Sequence, residues 1–291
     1  MNIIVCVKQT VATDLQLELD SNQVLDPDDL IAIPNPYDLV AIEEAVRIKE
    51  KMGDGSVKLI SLGPPSVRDM LQKCLALGAD EAVHLWDRIF DNSDPWATAL
   101  ILTKKIEQMA FDLIICGRKS SDENNGQVGT YIAEMLGLPH VSAVTKLEIQ
   151  KSQKVAKIHR AREGGDREIV VCPIPAVFSV DIELNQPRYP SFPMYLAALK
   201  KEIVTFNAKS IGISRSQVGR AGSLTRGSSL SMPKPRQTKL LKMDASLSAE
   251  DRLNALMTGG IAEKSGGMVL DGEPEAIAEK LIDILAQQGM L

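Results

Sequence analysis

The chain has 291 residues, 44% hydrophobic and 24% charged, the composition of a folded globular protein and not of a disordered one. Thirty-eight acids against 33 bases leave a net charge of −5, and aromatic residues make up only 4%. Both values argue against nucleic acid as a partner, because phosphate binding needs a basic surface and single strands need stacking platforms.

The amino terminus carries an apolar block, Ile3–Val7, with no basic residue before Lys8. It reads as a buried strand and not as a signal peptide. Pro34-Asn35-Pro36-Tyr37-Asp38 then leads into a helix expected over Leu39–Met52. Leu39, Val40, Ile42, Ala45 and Val46 form its apolar face, while Glu43, Glu44, Arg47 and Lys51 form the other. Pro36 keeps Asn35 out of the helical region, and Asp38 is suited to capping. A strand over Val57–Leu62 ends at Gly63-Pro64, and a helix over Val67–Leu77 closes on Gly78. After a strand at Ala82–Trp86, Ser93-Asp94-Pro95 sets a cap and a proline at the start of a helix reaching Ala110. Asp112–Cys116 is the next strand, and Tyr131–Leu136 a helix that Gly137 and Pro139 end. Ile149–Ile158 and Glu168–Val180 read as further strands, an antiparallel pair across the Gly164-Gly165-Asp166 turn.

Strands apolar throughout and separated by helices imply a parallel sheet covered on both faces. The expected architecture is therefore an α/β layered domain over residues 1–204. Residues 205–291 read as an arm followed by a helix. Between Ser214 and Met243 stand seven bases (Arg215, Arg220, Arg226, Lys234, Arg236, Lys239, Lys242) and no acid. In an acidic chain this suits an extended segment lying on an acidic partner better than a nucleic-acid arm. Pro274–Gln288 aligns Ile277, Leu281, Ile284 and Leu285 in one stripe. No apolar run approaches the ~20 residues of a membrane span.

Cys6, Cys74, Cys116 and Cys172 are scattered, with no Cys-x-x-Cys. That argues against zinc, iron–sulfur or a disulfide framework, and for a reducing, cytoplasmic setting. No metal site is expected. Nor is there a Gly-x-Ser-x-Gly elbow, a His-Glu-x-x-His or a Cys/His pair, so no catalytic residue is assigned. The informative stretch runs from Gly117 to Thr130, after a strand and before a helix. A helix amino terminus at a strand's carboxyl end offers unpaired N–H groups to a phosphate, and Gly126 and Gly129 allow close approach. A plain surface loop of turn-forming Asp and Asn remains an equal alternative at this point. With Cys6-Val7-Lys8, Pro34–Asp38 and Ser61–Pro64, four strand–helix junctions converge on one rim, as in a nucleotide pocket.

The chain resembles the β subunits of electron transfer flavoproteins. The resemblance rests on Cys6-Val7-Lys8-Gln9, Asn35-Pro36-Tyr37-Asp38 with Ala41–Ala45, Ser61-Leu62-Gly63-Pro64, Ala76–Ala82 and Gly126-Gln127-Val128-Gly129, in that order. The family's signature region matches Ile158–Ser179, with Arg160, Glu163, Glu168 and Pro175 in place and Phe178 where an aliphatic residue is usual. It covers residues 1–204. It implies a fold like the adenine-nucleotide α-hydrolases and a heterodimer with an α subunit that holds most of the redox FAD. It also implies AMP in the β pocket, or a second FAD in the electron-bifurcating branch. Carried over residue by residue, the pocket comprises Cys6, Asn35, Pro36, Tyr37, Asp38, Leu62, Gly117, Asp122, Asn124, Asn125, Gly126, Gln127, Val128, Gly129 and Thr130. Members with AMP often have threonine where this chain has Val128, so Thr130 or backbone N–H groups would take over its phosphate bond. Residues 184–195 resemble the partner-recognition loop, with Leu184, Tyr189, Phe192 and Met194 as docking candidates and Phe192 at a loop tip. The expected role is an electron carrier between a flavin dehydrogenase and a membrane quinone reductase or other acceptor. A bifurcating subunit whose β-bound FAD is reduced by NADH, and a nucleotide-binding sensor without redox role, are the alternatives.

Overall fold

The computed structural model describes residues 1–12, 31–227, 272 and 274–287. The elements are β1 (Asn2–Cys6), β2 (Gln9–Val11), β3 (Ala32–Pro34), α1 (Pro36–Met52), β4 (Ser56–Leu62), α2 (Val67–Leu75), β5 (Glu81–Leu85) and α3 (Pro95–Ile106). They continue with β6 (Leu113–Gly117), α4 (Val128–Leu136), β7 (His140–Gln150), β8 (Val155–Ala161), β9 (Arg167–Pro173) and β10 (Ala176–Val180). The last are α5 (Phe192–Leu199), β11 (Ile203–Phe206), the single turn α6 (Gly219–Gly222) and α7 (Pro274–Gln287). One nine-stranded sheet has the order β11-β5-β4-β1-β6-β10-β7-β8-β9, and β2 pairs with β3 separately. Strands β11 to β7 run parallel; β8 and β9 complete an antiparallel edge.

Alternation along β1 explains the layering. Ile3 and Val5 face α1 and α2, while Ile4 and Cys6 face α3 and α4, and Ile3, Ile4 and Val5 are fully buried. A strand that must be apolar on both faces is easy to see in sequence. The antiparallel edge is not, and there the expectations need correction. Ile149–Ile158 is not one strand: it crosses a 3₁₀ turn at Lys151–Gln153, and β7 starts earlier, at His140. Glu168–Val180 divides at Ile174-Pro175 into β9 at the sheet edge and β10 between β6 and β7. Pro173 and Pro175 have no N–H to continue a ladder. The Gly164-Gly165-Asp166 turn does join antiparallel β8 and β9.

Residue 204, the expected domain boundary, falls inside β11, which pairs with β5 through Phe206. Ile211, Ile213 and Val218 are buried in the layer of α3 and α4, and the first compact unit runs from Met1 to Met232. The start of the basic segment is folded, not extended. The Asp94 carboxylate accepts the backbone N–H groups of Leu224 (2.9 Å) and Thr225 (2.8 Å), and Ser93 Oγ accepts the Gly219 N–H at 2.9 Å. Lys234, Arg236, Lys239 and Lys242 lie outside the described residues. In α7, Ile277, Ile284 and Leu285 are half-buried and Leu281 is 48% exposed.

These contacts decide where the carboxyl-terminal part can be removed. Burial of a large aliphatic side chain contributes about 1.5–3 kcal/mol. A chain ending at Asn207 loses Ile211, Ile213 and Val218 from the core, and its Tm should fall by more than ~10 °C. A chain ending at Gly227 keeps them, and its Tm should stay within about 3 °C. Calorimetry of the two truncations checks this; equal melting of both would refute it.

Candidate functional site

From β1 the chain winds through α1 to β4 and through α2 to β5, then α3 carries it to β6 on the other side of β1. The carboxyl ends of β1 and β6 therefore diverge into a crevice, the place where open α/β sheets hold ligands. A cavity of about 480 Å³ lies there. Its walls are Cys6 to Gln9 after β1, Leu62 to Pro64 after β4, Ser93 and Pro95 before α3, Cys116 to Ser120 after β6, and the loop leading into α4.

The first turn of α1 ties these ends together. Asn35, 2% exposed, donates its backbone N–H to the Lys8 carbonyl at 3.0 Å. Its side-chain N–H donates to the Lys119 carbonyl at 2.9 Å, and its Oδ1 accepts the Ser121 N–H at 3.2 Å. Asp38 is not the cap expected from sequence: Asn35 holds that position, and Asp38 sits within the first turn. The Asp38 carboxylate instead accepts the backbone N–H of Lys8 at 2.8 Å and that of Gly117 at 2.9 Å. Burial pushes its carboxyl up to about 7, against the pull of those bonds. The native state thus holds this proton from about pH 4 to 7, and the contribution of Asp38 to stability falls as pH rises through that window. The clamp also needs a residue without Cβ at 117. A Cβ there would overlap Asp38 Oδ1 and stand 2.7 Å from the Tyr37 Cβ.

The loop into α4 is tied back to the end of β1. Lys8 Nζ lies 2.9 Å from Asp122 Oδ1 and 3.0 Å from Glu123 Oε2, drawing the loop to the end of β1. Partial burial raises Asp122, but bonds from Ser120 and Lys8 outweigh it and hold the carboxyl below its usual range. Gly126 adopts φ +62°, and a Cβ there would stand 3.1 Å from the Arg118 carbonyl. Gln127 makes no side-chain cap, so the first-turn N–H groups of α4 have no cap from that residue.

Of the expected pocket residues, Cys6, Asn35, Asp38, Leu62, Gly117, Asn125, Gly126, Gln127, Val128 and Gly129 line the cavity. Pro36, Tyr37, Asp122, Asn124 and Thr130 are not among its lining residues. Pro36 begins α1, the Tyr37 ring lies under Lys119 Nζ, Asp122 holds Lys8, Asn124 takes a left-handed turn, and Thr130 is exposed. Lys8 and Arg118, which the sequence placed on the rim and in the loop without assigning them, also line it. Sequence reasoning missed Trp86, Ser93 and Thr98; the cap and proline at Ser93–Pro95 were the signal for the Ser93 junction. Among the described residues there is no cluster of metal-ligating side chains and no helix long and apolar enough to cross a membrane.

The docking candidates separate by exposure. Leu184 packs against the core and Met194 is half-buried. Tyr189 is 95% and Phe192 72% exposed. Phe192 is not at a loop tip. It opens α5, because Ser191 caps the helix by accepting the Met194 N–H and Pro193 suits the first turn. Tyr195, Leu196 and Leu199 extend its apolar stripe at helical spacing, all exposed.

Known proteins resemble this chain in sequence. Residues 24–211 match the electron transfer flavoprotein domain family. The chain is 39% identical over 235 residues to electron transfer flavoprotein subunit beta of Thermoanaerobacterium thermosaccharolyticum, covering 80% of this chain and 88% of that one. It is 37% identical over 227 residues to the subunit of that name in Clostridium acetobutylicum, with 78% and 86% covered. Against the caffeyl-CoA reductase–Etf complex subunit CarD of Acetobacterium woodii, identity is 35% over 228 residues, again with 78% and 86% covered.

Proposed function

The chain belongs to the electron transfer flavoprotein β-subunit family, and from that premise we propose that it pairs with an α subunit and carries electrons from flavin dehydrogenases of the acyl-CoA dehydrogenase type to an acceptor such as a membrane quinone reductase. It is an electron-carrier subunit and not a classical enzyme. In this reading the switch-point cavity binds AMP. The observation that carries it is the uncapped amino terminus of α4 behind left-handed Gly126, inside a cavity of about 480 Å³. That size falls within the ~300–1,000 Å³ of small-molecule sites. First-turn N–H groups at Val128 and Gly129 would hold the phosphate, Lys8, held by Asp122 and Glu123, would fix the loop, and the Asn35–Asp38 clamp would keep the rim closed. The FAD shared with the α subunit supplies the redox chemistry when bound; this chain's residues position and shield it.

A second reading has two observations in its favour. Val128 offers no hydroxyl to a phosphate, and the CarD subunit belongs to a caffeyl-CoA reductase–Etf complex. In that case the cavity holds a second FAD reduced by NADH. Denaturing the purified heterodimer and measuring flavin absorbance and released-nucleotide mass separates the readings. One flavin with one AMP supports the carrier, two flavins support bifurcation, and no flavin refutes both in favour of a sensor.

Docking to the dehydrogenase is assigned to Tyr189 and Phe192. A buried apolar anchor contributes ~2 kcal/mol or more, roughly thirtyfold in affinity. Phe192→Ala should leave flavin content and Tm unchanged and slow dehydrogenase-dependent flavin reduction at limiting concentration by at least tenfold. Unaltered reduction would move the docking surface elsewhere.

A further inference from the structure

Cys6 and Cys116 are register partners on the adjacent parallel strands β1 and β6. Their side chains therefore leave the same face of the sheet. Both lie in the layer of α3 and α4, 8% and 5% exposed, both are free thiols, and both line the cavity. Cys74 and Cys172 pack in the opposite layer and are not among the cavity's lining residues. Gly129 leaves the Cys116 sulfur without a side chain over it at the start of α4, since a Cβ there would stand 3.6 Å away. The Cys116 thiol is raised well above its usual range, first by the neighbouring Cys6 sulfur and then by burial, so it is a neutral thiol.

Neighbouring strands stand about 4.7–4.9 Å apart, a separation at which two cysteine side chains on one face can meet. Two thiols held side by side in this way can both bond to one thiophilic atom. We propose that Cys6 and Cys116 form a dithiol site on the floor of the cavity for thiophilic ligands of the trivalent arsenical class. The reaction is a condensation: both S–H bonds break, two S–As bonds form, and the arsenoxide oxygen leaves with both protons as water. No oxidant or reductant is consumed. The ligand must enter through the cavity, a point that rests on the nucleotide reading above, because a bound nucleotide would block it.

The test uses the heterodimer stripped of nucleotide and equimolar phenylarsine oxide, followed by mass spectrometry of this chain and peptide mapping. The expected result is one arsenical per chain bridging the Cys6 and Cys116 peptides, released by a dithiol and not by the same thiol concentration of a monothiol. Cys6→Ala and Cys116→Ala should each lose the bridged adduct. An arsenical mapped to Cys74 or Cys172, no uptake by the native chain, or full uptake by both variants would overturn the proposal. Mapping on the native chain decides the matter even where a variant fails to fold. Reloading with nucleotide should slow uptake at least tenfold. Equal rates, with the adduct still on Cys6 and Cys116, would instead remove nucleotide from the cavity and leave the dithiol standing.

Discussion

Gly117→Ala should weaken nucleotide binding more than tenfold and lower the Tm by about 10 °C. The added Cβ would overlap Asp38 Oδ1 and stand 2.7 Å from the Tyr37 Cβ and 3.0 Å from the Tyr37 carbonyl carbon. Two of these neighbours belong to the backbone turn or to a buried carboxylate, so no flexible side-chain end can yield. The first turn of α1 must move. Overpacking of this kind costs ~1–3 kcal/mol. The move also strains the bonds from the Lys8 and Gly117 N–H groups to Asp38, and a buried polar group left unpaired costs about 1–3 kcal/mol more. At ~2–4 °C per kcal/mol for a domain of this size, the sum gives the stated shift. Because Asn35 and Asp38 stand on the same turn and line the cavity, affinity should fall more than tenfold alongside stability. Thr130→Ala, at an exposed position outside the cavity lining, is the control and should change neither. Calorimetry and nucleotide mass analysis of both variants check this. Full nucleotide content with a Tm within 2 °C in Gly117→Ala would show that the clamp is slack.

Arg188→Ala should lower the Tm by about 5–10 °C and remove an acid-side loss of stability. Glu43 is 2% exposed on α1, yet both its oxygens are held by Arg188: Nε donates at 2.8 Å and Nη2 at 3.2 Å. The same guanidinium reaches Glu50 at 2.7 Å, and Arg47 also binds Glu43. Burial pushes the Glu43 carboxyl up, but the two arginines outweigh it and hold the carboxyl below its usual range. A carboxylate depressed in the native state stabilises above its unfolded pKa, and that contribution is lost as pH falls through the native value. Removing one partner of a buried pair costs ~3–5 kcal/mol; with Arg47 still present the lower part of that range applies. The loop carrying Tyr189 would loosen as well, since Asn185 donates to Glu44 at 3.0 Å and Arg47 to the Gln186 carbonyl at 3.1 Å on the same surface. Arg188→Lys should recover part of the Tm, and Glu43→Gln should flatten the stability profile between pH 3 and 5. Melting curves across that range decide it. An unchanged Tm in Arg188→Ala would mean that the pair adds nothing net.

Much of the fold was legible because complete burial imposes a simple rule on sequence. β1, β4, β5 and β6 lie between two helix layers and are largely apolar on both faces, and their helices announced themselves through Pro36, Ser93-Asp94-Pro95 and Gly137, whereas α2 ends at Leu75 and is capped by Ala76, short of the expected Gly78. The loop into α4 was legible for a similar local reason: a strand, two glycines and a helix start within fourteen residues confine the backbone whatever surrounds it. Local rules failed where the partner is remote. β7 alternates polar and apolar residues as an edge-side strand, and nothing near it in sequence indicates that β10, not β8 alone, lies against it. Asp38 looked like a helix cap because capping is the local use of an aspartate. Its two donors, Lys8 and Gly117, stand 30 and 79 residues away. Lys8 found Asp122 across 114 residues, and Asp94 found Thr225 across 131. A hydrogen bond or ion pair is selected by which groups are left unpaired once the layers have packed. Periodicity and caps could therefore determine the elements and the rim, and only the assembled sheet could determine which side chains meet there.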